Sequence, residues 1–165
     1  MTGRVNALVS KHLAWIERQH LLLSSMLLAL YSMLGRIVVV LVSSPALLLV
    51  SPDHLLVTDE AVPWYFPLIV APVLETLLFQ WAPISLMAHF KLGLLIQIAV
   101  STALFSLMHL SSGLLAVLSA IPSGLILAYT WTQWRKRSFS QAFAATGITH
   151  FWIICIVFAF RIFGT

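Results

Sequence analysis

The chain has 165 residues, 61% of them hydrophobic and 8% charged, with a formal net charge of +4. A soluble domain carries roughly a quarter charged residues, so too few are present here to cover a water-facing surface. The basic residues gather at the ends of apolar runs, where they set topology and meet anionic lipid headgroups, and no nucleic-acid partner is expected.

Apolar runs of about 18 residues or more recur, which argues for membrane-spanning helices. The runs are rich in Leu, Ala and Ile and lack period-two alternation, which argues against a transmembrane β-barrel. The expected fold is all-α: a polytopic transmembrane helix bundle of about five spanning helices plus an N-terminal interfacial segment. The single cysteine, Cys155, excludes an internal disulfide.

Residues 1–20 read as an amphipathic lead-in at the membrane surface, with Leu8, Leu13, Trp15 and Ile16 set among Lys11, Arg18 and His20. No cleavable signal peptide is expected, because the apolar run that follows is too long for a signal core. Residues 21–165 form one transmembrane domain. Its first segment, Leu21 to Val50, is interrupted by Gly35-Arg36 and weakened at its end by Ser43-Ser44-Pro45. One long, tilted or kinked crossing fits it best, since each half of a hairpin would fall short of a span of about 20 residues. Residues 51–60 form the most polar linker, with Pro52, Asp53, Asp59 and Glu60. A second helix runs from Pro63, a residue suited to a first helical turn, to about His89. Phe90-Lys91-Leu92-Gly93 turns the chain into a third helix, Leu94 to about His109. Ser111-Ser112-Gly113 turns it again into a fourth, Leu114 to about Trp134. Arg135-Lys136-Arg137 precedes the fifth, Phe139 to about Phe163.

Five crossings sort the charges. The N-terminal segment, the Lys91 turn and the 135–137 loop share one face, which collects the basic residues, while Asp53, Asp59 and Glu60 lie opposite with only Arg161 against the trend. The positive-inside rule then makes the N-terminus cytoplasmic.

Three polar residues stand out. Glu75 lies well inside the second helix between Val73-Leu74 and Leu77-Leu78-Phe79, where a carboxylate costs a few kcal/mol or more and turns inward to partners. His109 ends the third helix, with Phe105 four residues before it on the same face. His150 sits near the middle of the fifth. Singly, each has a structural reading: an interhelical hydrogen bond for Glu75, a helix-end cap for His109, a bond to a neighbouring helix for His150. Jointly they favour one site, because short turns make these helices easy neighbours and one shared cluster satisfies three buried polar groups together. His12, His20, His54 and His89 fall in the lead-in, the linker or a helix end and receive no chemical role. Trp15, Trp64 and Trp134 suit interfacial anchoring.

These residues resemble the motifs of the CPBP family, the CAAX-protease and bacteriocin-processing membrane proteins also called Abi, which carry E-E-x-x-x-R, F-x-x-x-H and H-x-x-x-N on successive helices. Here they read Glu75-Thr76-Leu77-Leu78-Phe79-Gln80, Phe105-Ser106-Leu107-Met108-His109 and His150-Phe151-Trp152-Ile153-Ile154. The resemblance covers residues 63–165. Thr76, Gln80 and Ile154 depart from it, and Thr146, four residues before His150, is a candidate substitute for the asparagine that Ile154 replaces. The resemblance implies an intramembrane endopeptidase of glutamic type, in which Glu75 activates a water and His109 and His150 orient it or stabilise the oxyanion. Thr76, Gln80, Phe105, Thr146 and Ile154 would support the site. No cofactor is expected, since the resemblance favours a metal-free scheme and no H-E-x-x-H helix is present. The alternative is a zinc ion held by Glu75, His109 and His150. The implied partners are the lipid bilayer and a membrane protein or lipid-anchored peptide as substrate: prenylated proteins in eukaryotic relatives, peptides, signal-like segments or sorting anchors in bacterial ones. The compact chain suggests a bacterial inner membrane. Two other functions remain open on this scaffold: a bacteriocin-immunity or binding protein, and a small proton-coupled transporter.

Overall fold

Lipid offers the backbone no hydrogen bonds, so a spanning chain must satisfy its own, and helices do this within one segment. A computed structural model of the chain shows this outcome: the described residues are 11, 21–48 and 65–163, and no strand occurs among them. The rest of the expected surface lead-in, the polar linker at 51–60 and Pro63 lie outside the described residues. So does the side chain of Arg161.

Within residues 21–48 and 65–163 five helices follow in order. They are α1 (Leu21–Leu48), α2 (residues 66–89), α3 (Leu94–Leu107), α4 (Leu114–Trp134) and α5 (Phe139–Phe163), with a 3₁₀ turn at Leu110–Ser112. The first segment is one continuous helix through Gly35-Arg36. Stretches of α1, α2, α4 and α5 are each long and apolar enough to cross a membrane. At 14 residues α3 is the short one, about 21 Å at 1.5 Å per residue, against a hydrocarbon core of about 30 Å. It ends two residues before His109, earlier than expected. Gly113, at φ 95°, takes a backbone conformation that only glycine adopts freely and starts α4.

The second helix is not a plain α-helix. It alternates π turns at Phe66–Val70 and Thr76–Trp81 with α segments at Ala71–Glu75 and Ala82–His89. Pro67, Pro72 and Pro83 each remove a backbone donor, and such gaps are where a helix widens or bends. Pro83 has no N–H for the Phe79 carbonyl, which instead accepts the Ser101 hydroxyl from α3 at 2.5 Å. At its end, Lys91 adopts φ 56°, and the Lys91 and Leu92 amides return to the carbonyls of Ala88 and Met87. This pattern closes a helix in a Schellman motif.

Large apolar side chains such as Val42, Leu78 and Leu95 face outward, while Ser24, Ser25, Ser32, Thr130, Thr132 and Thr149 are buried. Helices packed in lipid associate through small residues and interhelical hydrogen bonds rather than through hydrophobic exclusion. The fourth helix is the hub: half of its spanning stretch is buried, against about a third or less for the others, and it packs on α1, α3 and α5. Close approach needs glycine at two points. A Cβ on Gly35 would lie 2.8 Å from the Pro122 ring, and one on Gly124 would lie 3.1 Å from Phe105 and 3.2 Å from the Thr102 backbone. The Ser32 and Ser123 hydroxyls share a 3.0 Å hydrogen bond between α1 and α4. At the basic end, Arg135 donates to Gln97 at 2.8 Å and Gln97 donates to the Leu92 carbonyl at 2.6 Å. That clamp joins the 90–93 turn to the 135–137 loop, as the charge sorting expected of two loops on one face.

Candidate active site

The π turn that begins at Thr76 follows directly on Glu75, the last residue of a short α segment. Such local widening is frequent at functional sites. From the facing helix, His150 places Nε2 at 3.3 Å from Glu75 Oε2, with the two side chains only 5% and 16% exposed.

His109 reaches the same place from the turn beyond α3. Its Nδ1–H donates to the Phe105 carbonyl at 2.9 Å. A carbonyl only accepts, so the proton is on Nδ1, and Nε2 keeps its lone pair in the neutral ring. Phe105 is the wall that both rings lean on. Its centroid lies 5.2 Å from that of His109 and 5.7 Å from that of His150, and it meets Phe79 edge-on at 6.3 Å. Phe105 is itself seated against Gly124, where no side chain intervenes.

Glu75, His109, His150 and Phe105 line one cavity of about 160 Å³, together with Ile154, Ser123 and Arg36. That is room for several waters or for a peptide group. The three residues singled out from sequence are therefore brought together, and Ile154 stands in the same lining. Thr76, Gln80 and Thr146 are fully buried but are not part of the lining. The Thr76 and Thr146 hydroxyls and both amide atoms of Gln80 have no hydrogen-bond partner among the described residues. Among the described residues no three His, Cys, Asp or Glu side chains come close enough to share a metal ion. The spacing of Glu75, His109 and His150 in this structure is not that of a metal-ligand triad, and no step below runs through a metal.

Arg36 is the site residue that sequence reasoning missed. It read there as an interruption of the first segment. Its depth was a usable signal: Arg36 lies seven residues before Ser43 and Glu75 seven residues after Leu68, the ends of two antiparallel spans. Both therefore sit about 10 Å below the same membrane face.

A helical membrane bundle that encloses a carboxylate, two histidines and a guanidinium in one small cavity has the parts of a membrane-embedded hydrolase. The chain belongs to the type II CAAX prenyl endopeptidase Rce1-like family, whose sequence profile matches residues 58–156, more than half of it. At the family level it is a CAAX-protease-like intramembrane endopeptidase and a multi-pass membrane protein. Comparison with curated proteins and with solved structures finds no match.

Proposed function

We propose that this protein hydrolyses a peptide bond in a membrane-associated or C-terminally anchored substrate, with Glu75 as the general base on a water. The observation that carries this reading is the Glu75–His150 pair at 3.3 Å in the cavity that His109 also lines. With its proton on Nε2, His150 faces the Glu75 carboxylate at 3.3 Å and fixes its direction. The free Nε2 lone pair of His109 accepts a hydrogen bond from one O–H of the water, which stays intact, and Glu75 removes the other proton as oxygen attacks the substrate carbonyl. The tetrahedral intermediate collapses as Glu75 returns that proton to the departing amine, so acid and base are the same group in two steps. No metal takes part. The substrate enters from the bilayer, and the chain resides in a cell membrane, read here as a bacterial inner membrane.

The probe is an internally quenched S-farnesyl peptide ending in the Cys-a-a-X pattern, given to the purified protein in bicelles. Wild type releases the C-terminal fragment, and Glu75→Ala, His109→Ala and His150→Ala each lower the rate by about 10²-fold or more. Release at the wild-type rate by all three variants would overturn the site. Loss of activity in strong chelator, restored by zinc, would overturn the metal-free scheme. One observation favours a second reading, a non-proteolytic immunity or binding member. Ile154 lines the cavity where the resembled motif has an amide side chain. That reading predicts no release from any substrate and full protection by the Glu75→Ala variant.

A further inference from the structure

Peptide hydrolysis builds negative charge on the carbonyl oxygen, and the site that accelerates it needs a donor aimed at that oxygen. The donors of this cavity can be counted. Glu75 only accepts when ionised. The His109 N–H is held by the Phe105 carbonyl and the His150 Nε2 side faces Glu75. The Ser123 hydroxyl shares a bond with Ser32 in which either oxygen can donate, so it offers at most one neutral donor. Ile154 offers nothing. Arg36 remains, with five N–H donors in a fixed fork and a charge that persists in an apolar setting. Among the described residues no carboxylate lies within ion-pair distance of it, and no hydrogen bond engages it. A cation held in the bilayer normally has a partner or a task. Arg36 also borders a second, more apolar groove of about 390 Å³ with Met33, Ile37, Val40 and Val157. It therefore stands between the reacting groups and a surface that suits an apolar chain.

We infer that Arg36 holds the oxyanion that forms on the substrate carbonyl in this site, a role that rests on the hydrolytic reading above. As the water oxygen bonds to the carbonyl carbon, the carbonyl π pair moves onto oxygen and the guanidinium receives it through charge-assisted hydrogen bonds, about twice as strong as neutral ones. When the intermediate collapses the pair returns, the C–N bond breaks and Arg36 is unchanged. Gly35 serves this placement: the close approach to Pro122 seats the turn of α1 that carries Arg36 against α4.

The test uses two uncleavable mimics of the farnesyl peptide in bicelles, an anionic tetrahedral phosphonate and a neutral ketomethylene isostere. Binding is followed by tryptophan fluorescence. Wild type prefers the phosphonate by about 10²-fold or more, as transition-state mimics do. Arg36→Gln loses that preference, and Arg36→Lys, which keeps charge without the fork, retains part of it. In turnover of the cleavable peptide, Arg36→Gln lowers kcat by about 10²–10³-fold and leaves KM within about twofold. Unchanged phosphonate preference in both variants would overturn the inference. A defect confined to KM that disappears when the peptide's C-terminal carboxylate is amidated would also overturn it, because Arg36 would then be reading that carboxylate. Thermal unfolding and gel filtration verify the fold of both variants, and Arg36→Lys carries the test if Arg36→Gln unfolds. A wild type that binds the phosphonate through Arg36 yet cleaves nothing would sustain the anion site and overturn only the hydrolytic reading.

Discussion

The aromatic ring of Phe105 organises the two histidines, and its contribution is measurable apart from theirs. It is nearly fully buried, its ring backs both imidazoles and its carbonyl fixes the proton of His109. Phe105→Leu keeps the carbonyl and most of the apolar volume but removes the flat wall. Its kcat is expected to fall about tenfold with the fold intact, and Phe105→Ala is expected to lose more activity and to lower the unfolding temperature as well. Comparison of kcat and thermal unfolding for the two variants checks this. At this scale the sequence was informative wherever polarity conflicts with lipid. Glu75, His109 and His150 are conspicuous because nothing around them in the chain is polar. Arg36 is as conspicuous, but a Gly-Arg pair in an apolar run also reads as a break, and the register of α1 against α2 is a tertiary fact. Thr76, Gln80 and Thr146 were placed in the site by position in a motif, and the helix faces they occupy turn them into the interior but out of the cavity lining.

Helices α4 and α5 begin and end where turn chemistry and charge mark them in the sequence, at Gly113, the 135–137 loop and Phe139. The start of α3 at Leu94 was equally legible, whereas its early end was not: the Met108 amide makes the last α-type bond, to Leu104, and the His109 amide turns to Ser106, a change that apolar sequence does not announce. The π turns of α2 were not legible either. Their cause is the spacing of three prolines, and hydrophobic periodicity does not distinguish wide turns from α turns inside an all-apolar helix. Two substitutions test how these elements hold the site. Ser101→Ala leaves the Phe79 carbonyl without its hydroxyl partner. It is expected to cost about 0.6–1.7 kcal/mol, the measured range for interhelical bonds in membranes, read as a lowered midpoint in detergent unfolding. Gly35→Ala brings a methyl within 2.8 Å of a rigid proline ring, so α1 must move off α4. Its activity is expected to fall with Arg36 still present, and an unchanged rate would show that the seat of α1 does not position that residue.

For the whole molecule, the bundle turns small and hydroxylated residues inward and large apolar ones toward lipid, and the hub helix has the most buried span. That inversion follows from the apolar surroundings of the bundle, where small residues and interhelical hydrogen bonds hold the helices together. The depths of Glu75 and His109 agree in the sequence, and the structure adds Arg36 to them toward the end of the bundle opposite the clamped basic turns. We propose from the charge sorting that the chain crosses five times with its N-terminus cytoplasmic, which predicts that a reporter fused after Thr165 lies outside the cytoplasm. An alkaline phosphatase fusion there should be active and a green fluorescent protein fusion dark, and the reverse pattern would turn the site toward the cytosol. The most direct test of the central claim is the single-turnover rate of farnesyl-peptide cleavage by purified Glu75→Gln beside wild type. The substitution keeps the shape and an oxygen facing His150 and removes only the capacity to take a proton. The account predicts a rate at least about 10²-fold below wild type, with unchanged unfolding temperature. A Glu75→Gln rate equal to that of wild type would contradict it.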